Sequence, residues 1–185
     1  ACGHASEADL VGGDYSIFKD MQGKKVARDF VSLYDDGSLE GCHGFYFYDS
    51  EGTPSGKTTI IDHGRYNGYL HRLSTAAKFG ASPTGNARAF MHYNIPIVRM
   101  SNTFFGAGKA KRDDLISDIR FGLLCKGFNW GYVYPERGQF TCNVQEGFII
   151  RNGRVCEPVG NLSIGGLTTE ILSNIAGASN EVDVS

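Results

Sequence analysis

The segment Cys2-Gly3-His4-Ala5-Ser6-Glu7-Ala8-Asp9 gathers a thiol, an imidazole and two carboxylates into a short stretch. If it is helical, Glu7 lies one turn beyond His4, where a carboxylate can hold one ring nitrogen and leave the other for a metal. On spacing alone, an ordinary solvated pair three residues apart is the plainer reading. The remaining histidines, His43, His63, His71 and His92, form no HExxH pair and no recognisable Ser/His/Asp order. Cys2, Cys42, Cys125, Cys142 and Cys156 are odd in number and widely spaced, with no CxxC pair. They read as reduced, mostly buried thiols of a cytoplasmic protein. Gly52-Thr53-Pro54-Ser55-Gly56-Lys57-Thr58 looks like a phosphate loop but falls one residue short between its glycines. The β-prone run Thr58-Thr59-Ile60-Ile61 follows it where a helix N-terminus is needed, so it reads as a β-turn.

The elements that must position these groups are legible as periodicity and punctuation. Residues 1–11 run as a helix into the stop Gly12-Gly13. Short strands are predicted near 29–35, 44–48, 58–61 and 66–70, then a helix over 73–79 stopped by Gly80. Leu115, Ile116, Ile119 and Leu123 form one stripe, with Asp113 and Asp114 in the first turn, and predict a helix over 112–126. Phe140, Cys142 and Val144 alternate, and Phe148-Ile149-Ile150 joins Val155-Cys156 across Asn152-Gly153, the strongest short hairpin signal. A final helix is predicted over 168–176. Strand runs broken by single helices, without regular βαβ alternation, indicate an α+β fold: a mainly antiparallel β-sheet with a few packed helices in a single domain.

Composition narrows the function classes. The chain has 185 residues, 41% hydrophobic and 21% charged, which suits an ordered globular domain. Its net charge of −2 lacks the footprint of a dedicated nucleic-acid binder, and no apolar run approaches a membrane span, so nucleic acid and membrane are not expected as partners.

Several motifs together resemble a known family. Gly3-His4-Ala5-Ser6-Glu7-Ala8-Asp9, Asp49-Ser50-Glu51-Gly52-Thr53-Pro54, Gly68-Tyr69-Leu70-His71, Pro83-Thr84-Gly85-Asn86-Ala87-Arg88, Arg99-Met100-Ser101-Asn102-Thr103, Lys126-Gly127-Phe128 and Gln145-Glu146-Gly147 look like the C-terminal half of TldD/PmbA proteins, in family order. The family carries the label "modulator of DNA gyrase", and its TldD branch comprises zinc metallopeptidases with an HExxxH motif. Ala1-Cys2-Gly3-His4 matches the last four positions of that motif, with His4 as its second histidine. The PmbA branch lacks the metal motif, so His4 points to the TldD branch. Five residues turn an α-helix by about 500°, leaving the two motif histidines about 140° apart, so the resemblance also implies a distorted turn or π-bulge.

The departures from the family pattern are as informative. The first histidine and the glutamate of HExxxH would sit immediately before Ala1, and the family's later cysteine ligand would lie beyond Ser185. Residues 1–185 are therefore expected to be a metallopeptidase-type C-terminal domain truncated at both ends. The resemblance implies His4 as a metal ligand, Glu7 orienting it from behind, and no catalytic base within the chain. Zinc is expected for the complete protein and not for this chain alone, because zinc sites use three or four donors. Peptide, unfolded or extended, is the implied substrate, and a second TldD/PmbA-type subunit the implied partner, in a homo- or heterodimer. The alternative is a non-catalytic peptide- or partner-binding module of the same family.

Overall fold

The computed structural model of the chain describes residues 1–182. The chain opens with two short helices, α1 (Cys2–Ala5) and α2 (Ala8–Gly12). The expected continuous helix over 1–11 is interrupted because Glu7 is extended, at φ −70° and ψ 118°. The cause is a neighbour: the Leu70 N–H donates to the Ser6 carbonyl at 2.8 Å and the Leu70 carbonyl accepts from the Ala8 N–H at 3.0 Å. That strand-like bridge pulls Glu7 out of the helical ladder.

Strands β1 (Leu33–Asp36), β2 (Lys57–Asp62) and β3 (Arg65–Tyr66) follow, then α3 (Leu73–Phe79), β4 (Ala87–Arg88), β5 (Ile97–Val98) and β6 (Thr103–Phe105). After α4 (Arg112–Ser117) come β7 (Phe121–Tyr134), β8 (Gln139–Arg151), β9 (Arg154–Val159), β10 (Ser163–Leu167) and α5 (Thr168–Asn174). One sheet has the order β3-β2-β1-β6; a second has β7 on one edge of β8, with β10 and β9 sharing the other edge; β4 and β5 form a separate ribbon. Every one of these strand pairs is antiparallel. The α+β reading stands.

The helix expected over 112–126 does not. It ends at Ser117, and Phe121–Tyr134 is strand. The carbonyls of Ile119 and Arg120 are taken by the N–H groups of Gly153 and Asn152, each at 2.8 Å, and residues 121–134 pair along nearly the whole of β8. Long-range pairing overrides the local helical stripe. The strand expected at 44–48 is a turn-rich loop in which only Tyr48 bridges, to Pro54, and that expected at 66–70 shrinks to β3. Helix α3 matches its expected bounds and ends on Gly80 in the left-handed region at φ 64°. The expected hairpin forms with Asn152 at φ 48° and Gly153 at φ 74°, the conformation that favours Asn-Gly. Helix α5 stops at Asn174, two residues short of its expected end.

The core lies between α1, α2 and the first sheet. Ala5, Ala8, Val11, Phe18, Leu33, Ile60, Ile61, Tyr66 and Leu70 are buried there, and Phe18 stacks on Tyr66 at 4.6 Å. Small residues on α1 and α2 allow this close approach, which fixes the segment carrying His4 and Glu7.

Candidate metal centre

His4 is in α1 and Glu7 is in the extended break before α2. His4 Nδ1 lies 2.9 Å from Glu7 Oε1; the imidazole is partly exposed and the carboxylate buried. As a carboxylate, Glu7 can only accept, which makes Nδ1 the protonated nitrogen and leaves the Nε2 lone pair available. The same Oε1 accepts the Met100 N–H at 3.2 Å, so the carboxylate is held from both sides.

Asp35 secures the segment behind Glu7. This buried carboxylate accepts from the Ser101 N–H at 2.9 Å, the Ser101 hydroxyl at 2.7 Å, the Thr103 hydroxyl at 2.7 Å and Asn86 Nδ2 at 2.8 Å. The glycine at position 3 is required by proximity: a Cβ there would sit 2.5 Å from Met100 Sδ and 2.8 Å from Thr103 Oγ1. Residues 100–103 therefore pack directly under the turn of helix that carries His4.

His4 lines two clefts. One, of about 500 Å³, includes Cys2, Met100, Phe105, Phe128, Phe140 and Cys142 among its walls. The other, of about 470 Å³, includes Glu7, Asp9, Ile97, Arg99, Val133 and Pro135. Burial pushes the Cys2 thiol up, away from the thiolate form that binds metals. The rest of the expected chemistry is elsewhere. His63 pairs with Asp62 at 2.7 Å on the surface, and His71 is buried between Tyr69 and Phe79. Among the described residues, no cluster of three or more His, Cys, Asp or Glu side chains could hold a metal ion. The Gly52 loop is a turn, with Asp49 Oδ1 accepting the N–H groups of Glu51 and Thr53 at 2.9 Å each.

What spacing analysis missed is the support: Asp35, Asn86 and Met100 reach the site from far along the chain. Their only sequence signal was that Asn86 and Met100 fall inside motifs of the family resemblance.

Comparisons agree with this architecture. The metalloprotease MJ0996 of Methanocaldococcus jannaschii is 38% identical over 185 residues, covering all of this chain and 41% of that protein. A zinc metalloprotease TldD homolog of Saccharolobus solfataricus is 30% identical over 186 residues, again 100% of this chain and 41% of the relative. The chain thus spans about two-fifths of the length of these curated relatives. Among solved structures, a candidate modulator of DNA gyrase from Thermotoga maritima MSB8 superposes with a TM-score of 0.84 at 24% identity, over 98% of this chain and 41% of that one, which is a likeness of fold. The family model for the PmbA/TldA metallopeptidase C-terminal domain matches residues 1–185, and the chain belongs to that family.

Proposed function

We propose that this chain contributes the C-terminal domain of a zinc-dependent metallopeptidase acting on unfolded or extended peptides, with His4 as one metal ligand. The observation that carries the reading is the contact of His4 Nδ1 with a buried Glu7 that is itself held by the Met100 N–H. An imidazole bound in this way is fixed in tautomer and ring orientation, as metal-bound histidines require. His4 fits one ligand position; three or four donors make a zinc site, and we assign the others, with the carboxylate that takes the proton from water, to the longer protein. When bound, zinc activates water and polarises the scissile carbonyl. The zinc assignment draws on the S. solfataricus relative, a zinc metalloprotease TldD homolog.

The residues of this chain would orient the ligand, exclude water on the apolar side of the cleft and line the path of the peptide. Glu7 supplies the orienting charge, and Phe105, Phe128 and Phe140 supply apolar walls. A second TldD/PmbA-type subunit is the proposed partner. Support comes from β7, where Trp130, Tyr132 and Tyr134 recur at every second position beyond a β-bulge and are all exposed. A cytoplasmic location accords with the free thiols of Cys2, Cys125, Cys142 and Cys156. The described residues contain no helix long and apolar enough to cross a membrane.

The test is cleavage of an unfolded peptide by the full-length protein with and without chelator. Chelator-sensitive cleavage restored by zinc is expected. Peptide binding with no chelator-sensitive cleavage would favour the alternative, a non-catalytic peptide- or partner-binding module.

A further inference from the structure

Arg88, Ile97 and Arg99 share one face of the β4–β5 ribbon: Arg88 pairs directly with Ile97, and Arg99 follows two residues later. With Ala89 and Phe90 they line a cleft of about 390 Å³. The lining holds two guanidinium groups and no carboxylate, in a chain whose net charge is −2. Ile97 and Arg99 also line the cleft that contains His4 and Glu7, so the two clefts meet at these side chains.

The two arginines are engaged differently. Arg88 donates from Nη2 to the Met100 carbonyl at 2.6 Å, which fixes the direction of its fork. Arg99 is pinned by its backbone: its N–H donates to the Asn86 carbonyl at 2.8 Å, and its own carbonyl accepts from Asn86 Nδ2 at 3.1 Å. Asn86 is in turn bound to Asp35, so the root of the side chain is rigid. The carboxylates that line the neighbouring cleft are committed elsewhere, Glu7 to His4 and Met100, and Asp9 to the Val98 N–H and Arg72. Among the described residues, the Arg99 guanidinium makes no hydrogen bond or ion pair.

We propose that Arg99, flanked by Arg88, binds a carboxylate of the peptide and so selects substrates that carry one beside the cleavage site; this rests on the peptidase reading above. A planar guanidinium matches a carboxylate with two parallel hydrogen bonds, and Arg88, its fork held by the Met100 carbonyl, adds a second positive charge beside it. Phe90, 88% exposed, and Ile97, 50% exposed, present an apolar wall for the adjoining side chain. The carboxylate has two possible sources: the peptide's own C-terminus, or the side chain of an internal Asp or Glu.

The test reads binding rather than turnover. Chelator-treated full-length protein is titrated, with anisotropy detection, against three fluorescein-labelled peptides of Gly, Ala and Leu: a free C-terminal acid, the C-terminal amide, and the amide with one internal Glu. The proposal predicts that at least one carboxylate form binds about tenfold tighter than the plain amide. Preference for the free acid assigns the terminal carboxylate, and preference for the Glu peptide assigns the side chain. Arg99→Gln should abolish the preference of the favoured form over the amide, and Arg99→Lys should restore it only in part. The exposed side chain makes Arg99→Gln compatible with the fold, which circular dichroism checks. Equal affinity for all three peptides, no binding of either carboxylate form, a preference that survives Arg99→Gln, or an equal loss for amide and acid would each overturn the proposal. Because no metal is needed for this readout, chelator-insensitive cleavage would sink the proposed function and leave this test standing.

Discussion

His4 and Glu7 touch across a break at which Glu7 is extended, and the bond from the Met100 N–H fixes which way the carboxylate points. Removing the charge but keeping the shape isolates that role. Glu7→Gln in the full-length protein should weaken metal binding by about tenfold or more, measured by competition with a chromophoric chelator; unchanged affinity would mean that Glu7 is only structural. His71 offers a separate check on burial. Desolvation holds its pKa below the ordinary histidine value, with Asp9 opposing in part. Protonation therefore favours the unfolded chain. Stability should be complete above the usual histidine range and decline as acidification passes through that range toward the lower folded-state value. Urea unfolding at about pH 7.5 and pH 5.5 should show a larger loss in the wild type than in His71→Gln. An equal loss would contradict the assignment.

At the scale of elements, what was legible in the sequence was local. Helix α3 carries its own stop in Gly80, and the β8–β9 hairpin carries Asn152-Gly153, so neighbouring residues suffice to specify each. The stripe Leu115, Ile116, Ile119, Leu123 is equally local, yet it misleads past Ser117, because the backbone of 119–120 is claimed by the hairpin tip and 121–134 by β8. Nothing within that window signals partners about twenty to thirty-five residues away. The site divides in the same way. The i,i+3 pair His4–Glu7 could be read from spacing, whereas Asp35 and Ser101, 66 residues apart, meet only through the fold. The hairpin tip allows a graded test. An alanine Cβ at position 153 would lie 2.6 Å from the Ser117 carbonyl oxygen at a φ of +74°, while one at position 80 would meet nothing within 4 Å at φ +64°. Gly80→Ala should cost about 1 kcal/mol from backbone strain alone, and Gly153→Ala about 1–2 kcal/mol more, by urea unfolding. Equal costs would show that the tip does not press against α4.

Across the whole molecule, one buried carboxylate ties the first sheet to the segments that frame the clefts. Asp35 on β1 gathers Asn86, Ser101 and Thr103, and through them the residues beneath Gly3, beside Glu7 and at the root of Arg99. Asp35→Ala should cost on the order of 3 kcal/mol by leaving several buried donors without an acceptor. Asp35→Asn, which keeps one carbonyl oxygen, should cost less; the reverse order would contradict this arrangement. The proposed role of His4 as a metal ligand is tested most directly by metal content. Full-length protein purified in parallel as wild type and His4→Ala should differ in bound zinc by elemental analysis, with about one zinc per chain in the wild type and a severalfold loss in the variant, at equal folded content. Equal zinc in the two proteins would contradict it.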